Sequence, residues 1–287
     1  MSSLPSHHNA LVLESVGSDF LIKPLPTPLP TPGSAIVQIC CTGILSYHRE
    51  VYNGSRPYPF PLPIVGGLSA IARIMALGSD AVSLTEGQLV YVDCVVRGRD
   101  DPSTLFLSAI HDGFSQGSKR LMRDVWRNGT FADLARVPLE NCIALNEPRL
   151  CEELGYSVQD LMYLCYLLVP YGGLRDIKLE AGETIVICPA TGGFGGAGVQ
   201  VAAAMGARVI AMGGMKRNWR GDVEKDAAAL QEFGTIDAVL DISPPAAAKS
   251  THLKSAINSL RKGGRASLMG SGEYAIDNWK VMGITSR

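Results

Sequence analysis

One stretch, from Val186 to Asn218, constrains the fold of this chain more than any other: VICPATGGFGGAGVQVAAAMGARVIAMGGMKRN. It is typical of a strand, a glycine-rich turn, a helix built from small residues and a second strand. The continuous apolar run before the turn is what a strand buried on both faces of a parallel sheet requires. The stretch therefore predicts a βαβ unit, with the turn at the carboxyl end of its first strand.

The turn itself has the pattern A-x-G-x-x-G. Small residues there let the backbone approach a pyrophosphate and let the helix approach the strand, while the helix N-terminus offers free N–H groups and a positive dipole end. The alternative is a turn with a purely structural role. The candidate cofactor-binding residues are Ala190, Thr191, Gly192, Gly193, Phe194 and Gly195.

The end of the second strand decides which nicotinamide cofactor fits. An acidic residue there would hold a ribose 2′-hydroxyl, whereas a cation accommodates a 2′-phosphate. The sequence after ARVIAM is GGMKR, without Asp or Glu, so it favours NADP(H), with Lys216 and Arg217 as candidate phosphate contacts. Alternatively, both are solvated surface charges.

Two later segments, TIDAVLDISPP and KGGRASLMGSG, have the pattern of further strands of the same sheet. Ligands of such sheets bind outside the carboxyl ends of the strands. We therefore expect the loops that follow to lie near the nicotinamide half of the cofactor, with Asp241, Ser243, Gly270 and Ser271 as candidate contacts.

The N-terminal part is different in character. SAIVQICCTGI, LSAIARIMALG, GQLVYVDCVV and DLARVPL are β-rich runs separated by turn residues. PLPTPLPTPG is expected to carry the chain between two strands in an extended conformation. The sequence thus predicts a mostly β domain over residues 1–150 and an α/β domain over residues 151–287.

Charge and composition exclude several classes of function. The 26 basic and 27 acidic residues are interspersed, with a formal net charge of −1, which is unlike a nucleic-acid-binding protein. Neither a signal sequence nor a long apolar run is visible, so we expect a cytoplasmic protein without a membrane partner. The seven cysteines form no C-x-x-C pair and are interpreted as free thiols.

Together, PGSAIVQICCTGI, PLPIVGG, GQLVYV and PATGGFGGAGVQVA resemble the medium-chain dehydrogenase/reductase superfamily. RGRDDPS, WRNGTFADLARVPLEN and VPYGG resemble its fungal alcohol dehydrogenase-like branch. The resemblance implies a chaperonin-10-like (GroES-like) catalytic domain followed by a Rossmann domain with a doubly wound parallel sheet. It also implies a homodimer formed through the sixth strand of that sheet.

The resemblance also bears on metal content. Zinc-dependent members carry a cysteine where this chain has Leu45 and a histidine where it has Gly67. A catalytic zinc needs about three protein ligands, so we expect no metal and a likeness to quinone oxidoreductases. Tyr58 matches the place of a tyrosine near the nicotinamide in such relatives, and Tyr47 and His48 are further catalytic candidates; alternatively, all three only pack.

Two departures from the family pattern concern the edges of the sheet. The segment 213–234 has room for one helix, where a Rossmann unit has a helix, a third strand and another helix, and the chain stops soon after NWKVMG. We expect both edge strands, the third and the sixth, to be missing, which places dimerisation and catalysis in doubt. An incorrectly spliced gene would have the same signature.

These patterns favour a zinc-independent, NADPH-dependent oxidoreductase that reduces a carbonyl or an activated C=C bond of a small apolar molecule. The fungal resemblance suggests a role in secondary metabolism. The alternative is a truncated relative that binds a cofactor or ligand without net redox turnover.

Overall fold

A computed structural model describes residues 4–213, 221–247, 250–270 and 281–286. The chain divides into two compact units, Met1–Cys165 and Tyr166–Arg287. This division lies C-terminal to the boundary expected between residues 150 and 151. No described helix combines the length and the apolar character needed to cross a membrane.

The first unit is mostly β structure. Its strands are β1 (His7–Leu13), β2 (Leu21–Pro26), β3 (Ser34–Thr42), β4 (Ile64–Val65), β5 (Ala70–Leu77), β6 (Leu89–Val92), β7 (Val95–Arg97), β8 (Leu105–Leu107), β9 (Leu134–Pro138) and β10 (Cys142–Ala144). Its helices are α1 (His48–Tyr52), α2 (Gln116–Asp124) and α3 (Val158–Leu161), with a 3-10 turn at Leu139–Asn141 and a π turn at Pro148–Glu153. The β-rich pattern in the sequence is thereby confirmed.

Antiparallel pairing organises these strands into sheets of order β2-β1-β4 and β10-β6-β5-β3-β9, with a hairpin β7-β8. Residues alternate between the two faces of a strand, so the larger sheet builds a core on each side. Ile74 and Val90 belong to the core on one face, and Ile71 and Leu89 to the core on the other. The proline-rich segment connects β2 to β3, as expected.

The second unit is an α/β domain. Its elements are α4 (Leu164–Asp176), β11 (Thr184–Cys188), α5 (Gly193–Ala204), β12 (Arg208–Ala211), α6 (Val223–Gln231), β13 (Ala238–Asp241), α7 (His252–Ser259), β14 (Gly264–Leu268) and β15 (Val281–Ser286), with a 3-10 turn at Pro245–Ala247. All strands are parallel, in the order β12-β11-β13-β14-β15.

Helices cover both faces of this sheet, which confirms the doubly wound α/β prediction. Leu174 of α4 and Ala202 of α5 pack on one face. Leu230 of α6 and Leu253 of α7 pack on the other. Every residue of β11 is buried, as its continuous apolar sequence requires.

The expectations for the two edge strands of the sheet differ in outcome. The expectation that the sixth strand is missing is wrong, because β15 pairs in parallel with β14 and occupies that place. Its sequence, VMGITS, is short and contains a glycine, so it lacks the apolar run that marks a buried strand; an edge strand needs hydrogen bonds on one side only. At the other edge, no strand lies outside β12 in the part of the chain described above.

Candidate functional site

The glycine-rich turn connects β11 to α5. Helix α5 has Gly192 as its N-cap, without a side-chain cap, and its first backbone bond runs from Gly196 N–H to Gly192 O at 2.8 Å. The amides of residues 193–195 therefore have no acceptor among the described residues. They point out of the helix N-terminus together with the positive end of its dipole.

Glycine is required at two places in this turn for different reasons. A Cβ on Gly195 would lie 2.0 Å from the Pro189 carbonyl oxygen, so only glycine lets the helix approach the strand this closely. A Cβ on Gly192 would meet nothing within 4 Å, which leaves open space in front of the free amides. The Phe194 ring packs against Tyr166 with ring centroids 4.9 Å apart. The turn thus fits the pyrophosphate of a dinucleotide: it offers donors, positive potential and room.

A buried network of hydrogen-bonded side chains lies at the C-terminal end of β13. Asp241 and Ser243 are buried, and the Ser243 hydroxyl donates to Asp241 Oδ1. Because that hydroxyl has one proton, the contact of 2.6 Å between Ser243 Oγ and His252 Nε2 makes the histidine the donor. His252 Nδ1 makes a second contact, with Ser250 Oγ at 2.7 Å.

One polar atom of this hydrogen-bonded network has no partner among the described residues. Asp241 Oδ2 is buried without a partner among the described residues. It faces Gly270, where a Cβ would lie 2.2 Å from it. Asp241 and Ser243 thus lie together and make their hydrogen bonds largely within the protein, and Oδ2 is the acceptor without a partner among the described residues.

Cys188, Asp241 and His252 form the one group among the described residues with three potential metal-ligating atoms within 4.8 Å. Burial, and then the nearby Asp241, raise the pKa of the Cys188 thiol well above its usual value, so the thiol is protonated. The Ser243 hydroxyl already joins the Asp241 carboxylate and the His252 ring through hydrogen bonds. We therefore interpret the group as a hydrogen-bonded network.

His48, a catalytic candidate in the first unit, is 4% exposed at the start of α1. Burial lowers the pKa of His48 to about 4, so its ring is neutral at pH 7. Nδ1 accepts a hydrogen bond from the Leu45 N–H at 3.4 Å, which places the ring proton on Nε2. Nε2 is buried and has no partner among the described residues. His48 can therefore donate a hydrogen bond but is not a protonated acid.

Gly67 is the position at which the family resemblance implies a histidine in zinc-dependent members, and its N–H bonds to Tyr52. Gly67 has φ +93°, and a Cβ there would lie 2.5 Å from Phe131 Cδ1, so a histidine does not fit this backbone. The Tyr52 hydroxyl accepts from the Gly67 N–H at 3.0 Å and donates to the Ala109 carbonyl at 3.4 Å. Burial raises the pKa of Tyr52 to about 12. Sequence reasoning missed Tyr52, although its spacing on the α1 helix, four residues after His48, places both on one face.

Tyr47 and Tyr58, the remaining catalytic candidates, both pack a ring face against Arg56. The guanidinium carbon is 4.6 Å from the Tyr47 ring centroid and 5.3 Å from the Tyr58 ring centroid. His111 meets the Tyr58 ring edge-on at 4.9 Å. Sequence reasoning missed Arg56, since its segment reads as an ordinary turn. Lys216, Arg217 and Ser271, the other candidate cofactor contacts, lie outside the described residues.

Comparison with known proteins gives a consistent result. Residues 31–147 match the alcohol dehydrogenase GroES-like domain family. The chain is 27% identical over 221 residues to alcohol dehydrogenase 1 of Emericella nidulans, which covers 74% of this chain and 58% of that protein. It is 26% identical over 243 residues to an alcohol dehydrogenase of Rhizobium meliloti, covering 82% and 64%. The chain thus spans less than two thirds of the length of either relative.

Among solved structures, the fold is similar to that of an alcohol dehydrogenase superfamily protein from Novosphingobium aromaticivorans. The TM-score is 0.72 at 21% sequence identity, over 94% of this chain and 75% of that one. At this identity the likeness shows the fold alone.

Two glycine substitutions separate the structural and binding roles of the turn. We expect Gly195→Ala to lower the melting temperature, because its Cβ would force α5 away from β11. Gly192→Ala should keep the melting temperature but weaken dinucleotide binding, since its Cβ enters only the open space. Thermal unfolding and fluorescence titration with NADPH measure both. Equal melting temperatures for the two variants would contradict the packing argument.

The buried His48 predicts a pH-dependent stability. Its folded pKa lies below the unfolded value of 6.5, so the unfolded chain takes up a proton first and stability is lost as the pH falls from 6.5 towards 4. The loss attributable to His48 is about 3 kcal/mol over this window. Urea unfolding at several pH values should show a flatter profile for His48→Gln, while the exposed control His7→Gln keeps the profile of the unsubstituted protein. Parallel profiles for all three proteins would contradict the prediction.

Proposed function

Because the chain belongs to the medium-chain dehydrogenase/reductase superfamily, we propose that it is a zinc-independent, NADPH-dependent oxidoreductase that reduces a carbonyl or an activated C=C bond. The observation that carries the proposal is the turn before α5. Its uncapped amides at residues 193–195 face open space and fit a pyrophosphate.

The preference for NADP(H) rests on the residues that follow β12. No acidic side chain is present between Ala211 and Arg217 to hold a ribose 2′-hydroxyl, and the first charged residues after the strand are Lys216 and Arg217. A 2′-phosphate is favoured by cations at this place.

Zinc independence is supported by the backbone at the family's ligand positions. Leu45 is buried and has no metal-binding atom, and Gly67 lies in a left-handed conformation with its Cβ space taken by Phe131 and Thr130. Restoring a ligand at position 67 would require the surrounding backbone to move. Polarisation of a substrate oxygen must then come from hydrogen-bond donors of the protein.

In the proposed reaction, bound NADPH supplies a hydride to the carbonyl carbon or to the β-carbon of the activated C=C bond. The Tyr58 hydroxyl or a water molecule supplies the proton that completes the reduction. Aromatic rings beside Tyr58, including the exposed Phe114 that lies 5.1 Å from His111, offer an apolar surface suited to a small apolar substrate.

Several aspects of the proposal rest on resemblance. A role in fungal secondary metabolism and a homodimer belong to this group, whereas a cytoplasmic location is proposed because no signal sequence is visible. Strand β15 supplies the edge that the family uses for dimerisation, which removes one objection to a dimer.

A second candidate function, binding of a cofactor or ligand without net redox turnover, is favoured by one observation. Among the described residues, no strand lies beyond β12 at that edge of the sheet, where a Rossmann unit has its third strand.

Turnover separates the two candidates. With NADPH and a panel of enones, quinones and aldehydes, we expect consumption of NADPH that is unchanged after prolonged chelation with EDTA. The absorbance of the reduced nicotinamide measures it. NADPH binding without consumption would favour the second candidate, and binding of neither NADPH nor NADH would exclude the oxidoreductase proposal.

The cofactor preference has its own test. The double variant Lys216→Ala, Arg217→Ala should weaken NADPH binding by roughly tenfold or more, because a charge-assisted contact to phosphate is lost, and should leave NADH binding nearly unchanged. Fluorescence titration with each cofactor measures both constants. Equal weakening for NADPH and NADH would contradict a contact with the 2′-phosphate.

A further inference from the structure

Arg56 is held in a stack of aromatic rings. Its guanidinium carbon lies over the rings of both Tyr47 and Tyr58, and the His111 ring packs against Tyr58 at an interplanar angle of 77°. The backbone fixes this arrangement: Arg56 N–H donates to Glu50 O at 2.8 Å, and Tyr58 N–H donates to Arg56 O at 2.8 Å. Pro57, between them, has a restricted φ. The position of the charge is therefore set before any ligand binds.

The guanidinium has few partners for its degree of burial. Its side chain is 14% exposed, and its one ion pair joins Nε to Glu50 Oε2 at 3.7 Å, beyond hydrogen-bond distance, with the Glu50 side chain 55% exposed. No oxygen of the described residues accepts a hydrogen bond from the Arg56 side chain. By contrast, Arg73 makes a bidentate pair with Glu147, including Nη1 to Oε2 at 2.9 Å.

A shielded guanidinium with unused donors is an anion-binding group. The Arg56 guanidinium carries five N–H donors in a planar fork and no acceptor. The two tyrosine rings shield it from solvent, which strengthens its attraction for a negative oxygen. The neighbouring groups suit proton transfer, since both stacked rings carry hydroxyls.

We propose that Arg56 binds the substrate oxygen that becomes negatively charged during reduction. This inference rests on the proposed function and narrows its substrate class to compounds with a carbonyl oxygen: aldehydes, ketones, enones and quinones. The guanidinium takes the electrostatic role that a Lewis acid would otherwise have.

The electrons and protons of the step balance as follows. In carbonyl reduction, the hydride from NADPH bonds to the carbonyl carbon, and the electron pair of the C=O π bond moves to the oxygen. Arg56 donates hydrogen bonds to this alkoxide until the Tyr58 hydroxyl, or water, transfers a proton to it. In enone reduction, the hydride bonds to the β-carbon, the oxygen becomes an enolate held by Arg56, and the proton bonds to the α-carbon. NADPH leaves as NADP⁺, and solvent returns the proton to Tyr58.

A purely structural role for Arg56 makes a different prediction. If the side chain only supports the aromatic stack, its aliphatic stem and shape matter, and its charge does not. Arg56→Met retains most of the stem without charge, and Arg56→Lys retains charge with fewer donors. Arg49, an exposed arginine on α1 outside the stack, offers a matched control as Arg49→Met.

The first measurement is steady-state reduction of the best carbonyl substrate from the panel. We expect Arg56→Met to lower kcat by about 100-fold, as loss of one oxyanion donor does, with a smaller effect on KM. Arg56→Lys should recover part of the loss, and Arg49→Met should match the unsubstituted protein. Equal kcat for Arg56→Met and the unsubstituted protein would overturn the inference and leave the proposed function intact.

The second measurement needs neither cofactor nor turnover. 4-Hydroxybenzaldehyde is a carbonyl compound whose phenolate resembles the negative oxygen, and its absorbance reports its ionisation. Binding beside a guanidinium should lower the apparent pKa of the bound phenol by about one unit or more, and Arg56→Met should abolish this shift. Circular dichroism confirms that the variant is folded. An equal shift in both proteins, or no phenolate binding to the unsubstituted protein, would overturn the inference; absence of NADPH consumption alone would count against the proposed function instead.

Discussion

The close approach of α5 to β11 is the contact on which the second unit depends. At Gly195 the helix lies so near the strand that a Cβ would overlap the Pro189 carbonyl oxygen. Small buried residues continue this contact along the helix, including Ala197, Gly198 and Ala202. Helix α5 therefore starts beside the carboxyl end of β11, and its free amides are presented at the carboxyl end of the sheet, where ligands of such folds bind. Packing and ligand binding thus have one cause.

In the first unit, electrostatics are set by a different means. Leu45 and Gly67, at the positions where the family resemblance implies metal ligands, have no metal-binding side-chain atom, and His48 is kept neutral by burial. A neutral histidine and a phenol with a raised pKa bring no charge to this region. Arg56 is the cation that stands beside the candidate tyrosines, and its weak pairing with Glu50 leaves its charge largely unneutralised.

The parts of the fold predicted from sequence are those with a local signal. The β-rich runs bounded by turn residues became β3, β5, β6 and β9, and the apolar run followed by glycine and small residues became β11 and α5. Strand β15 was missed because an edge strand needs neither alternation nor a continuous apolar run. Arg56 and His252 were missed for another reason. Their partners, Tyr47 and Asp241, lie on neighbouring elements and meet them only after a helix or crossover has turned the chain, and no local period reports such a meeting.

The two candidate binding regions, the start of α5 and Arg56, have one physical feature in common: both hold hydrogen-bond donors without acceptors among the described residues. At the start of α5, amides without acceptors are held in place by the helix; at Arg56, guanidinium donors without acceptors are held in place by stacked rings. Unused donors cost stability when solvent is excluded, since a buried donor without an acceptor loses its hydrogen bond to water. A chain keeps such groups where a ligand supplies the missing acceptor. Asp241 Oδ2 is the complementary case, because it is a buried acceptor without a donor among the described residues. It lies at the carboxyl end of the parallel strands, as the free amides of α5 do. Donors and an acceptor at the same end of the sheet suit a ligand that carries both phosphate oxygens and hydroxyl groups, as a dinucleotide does.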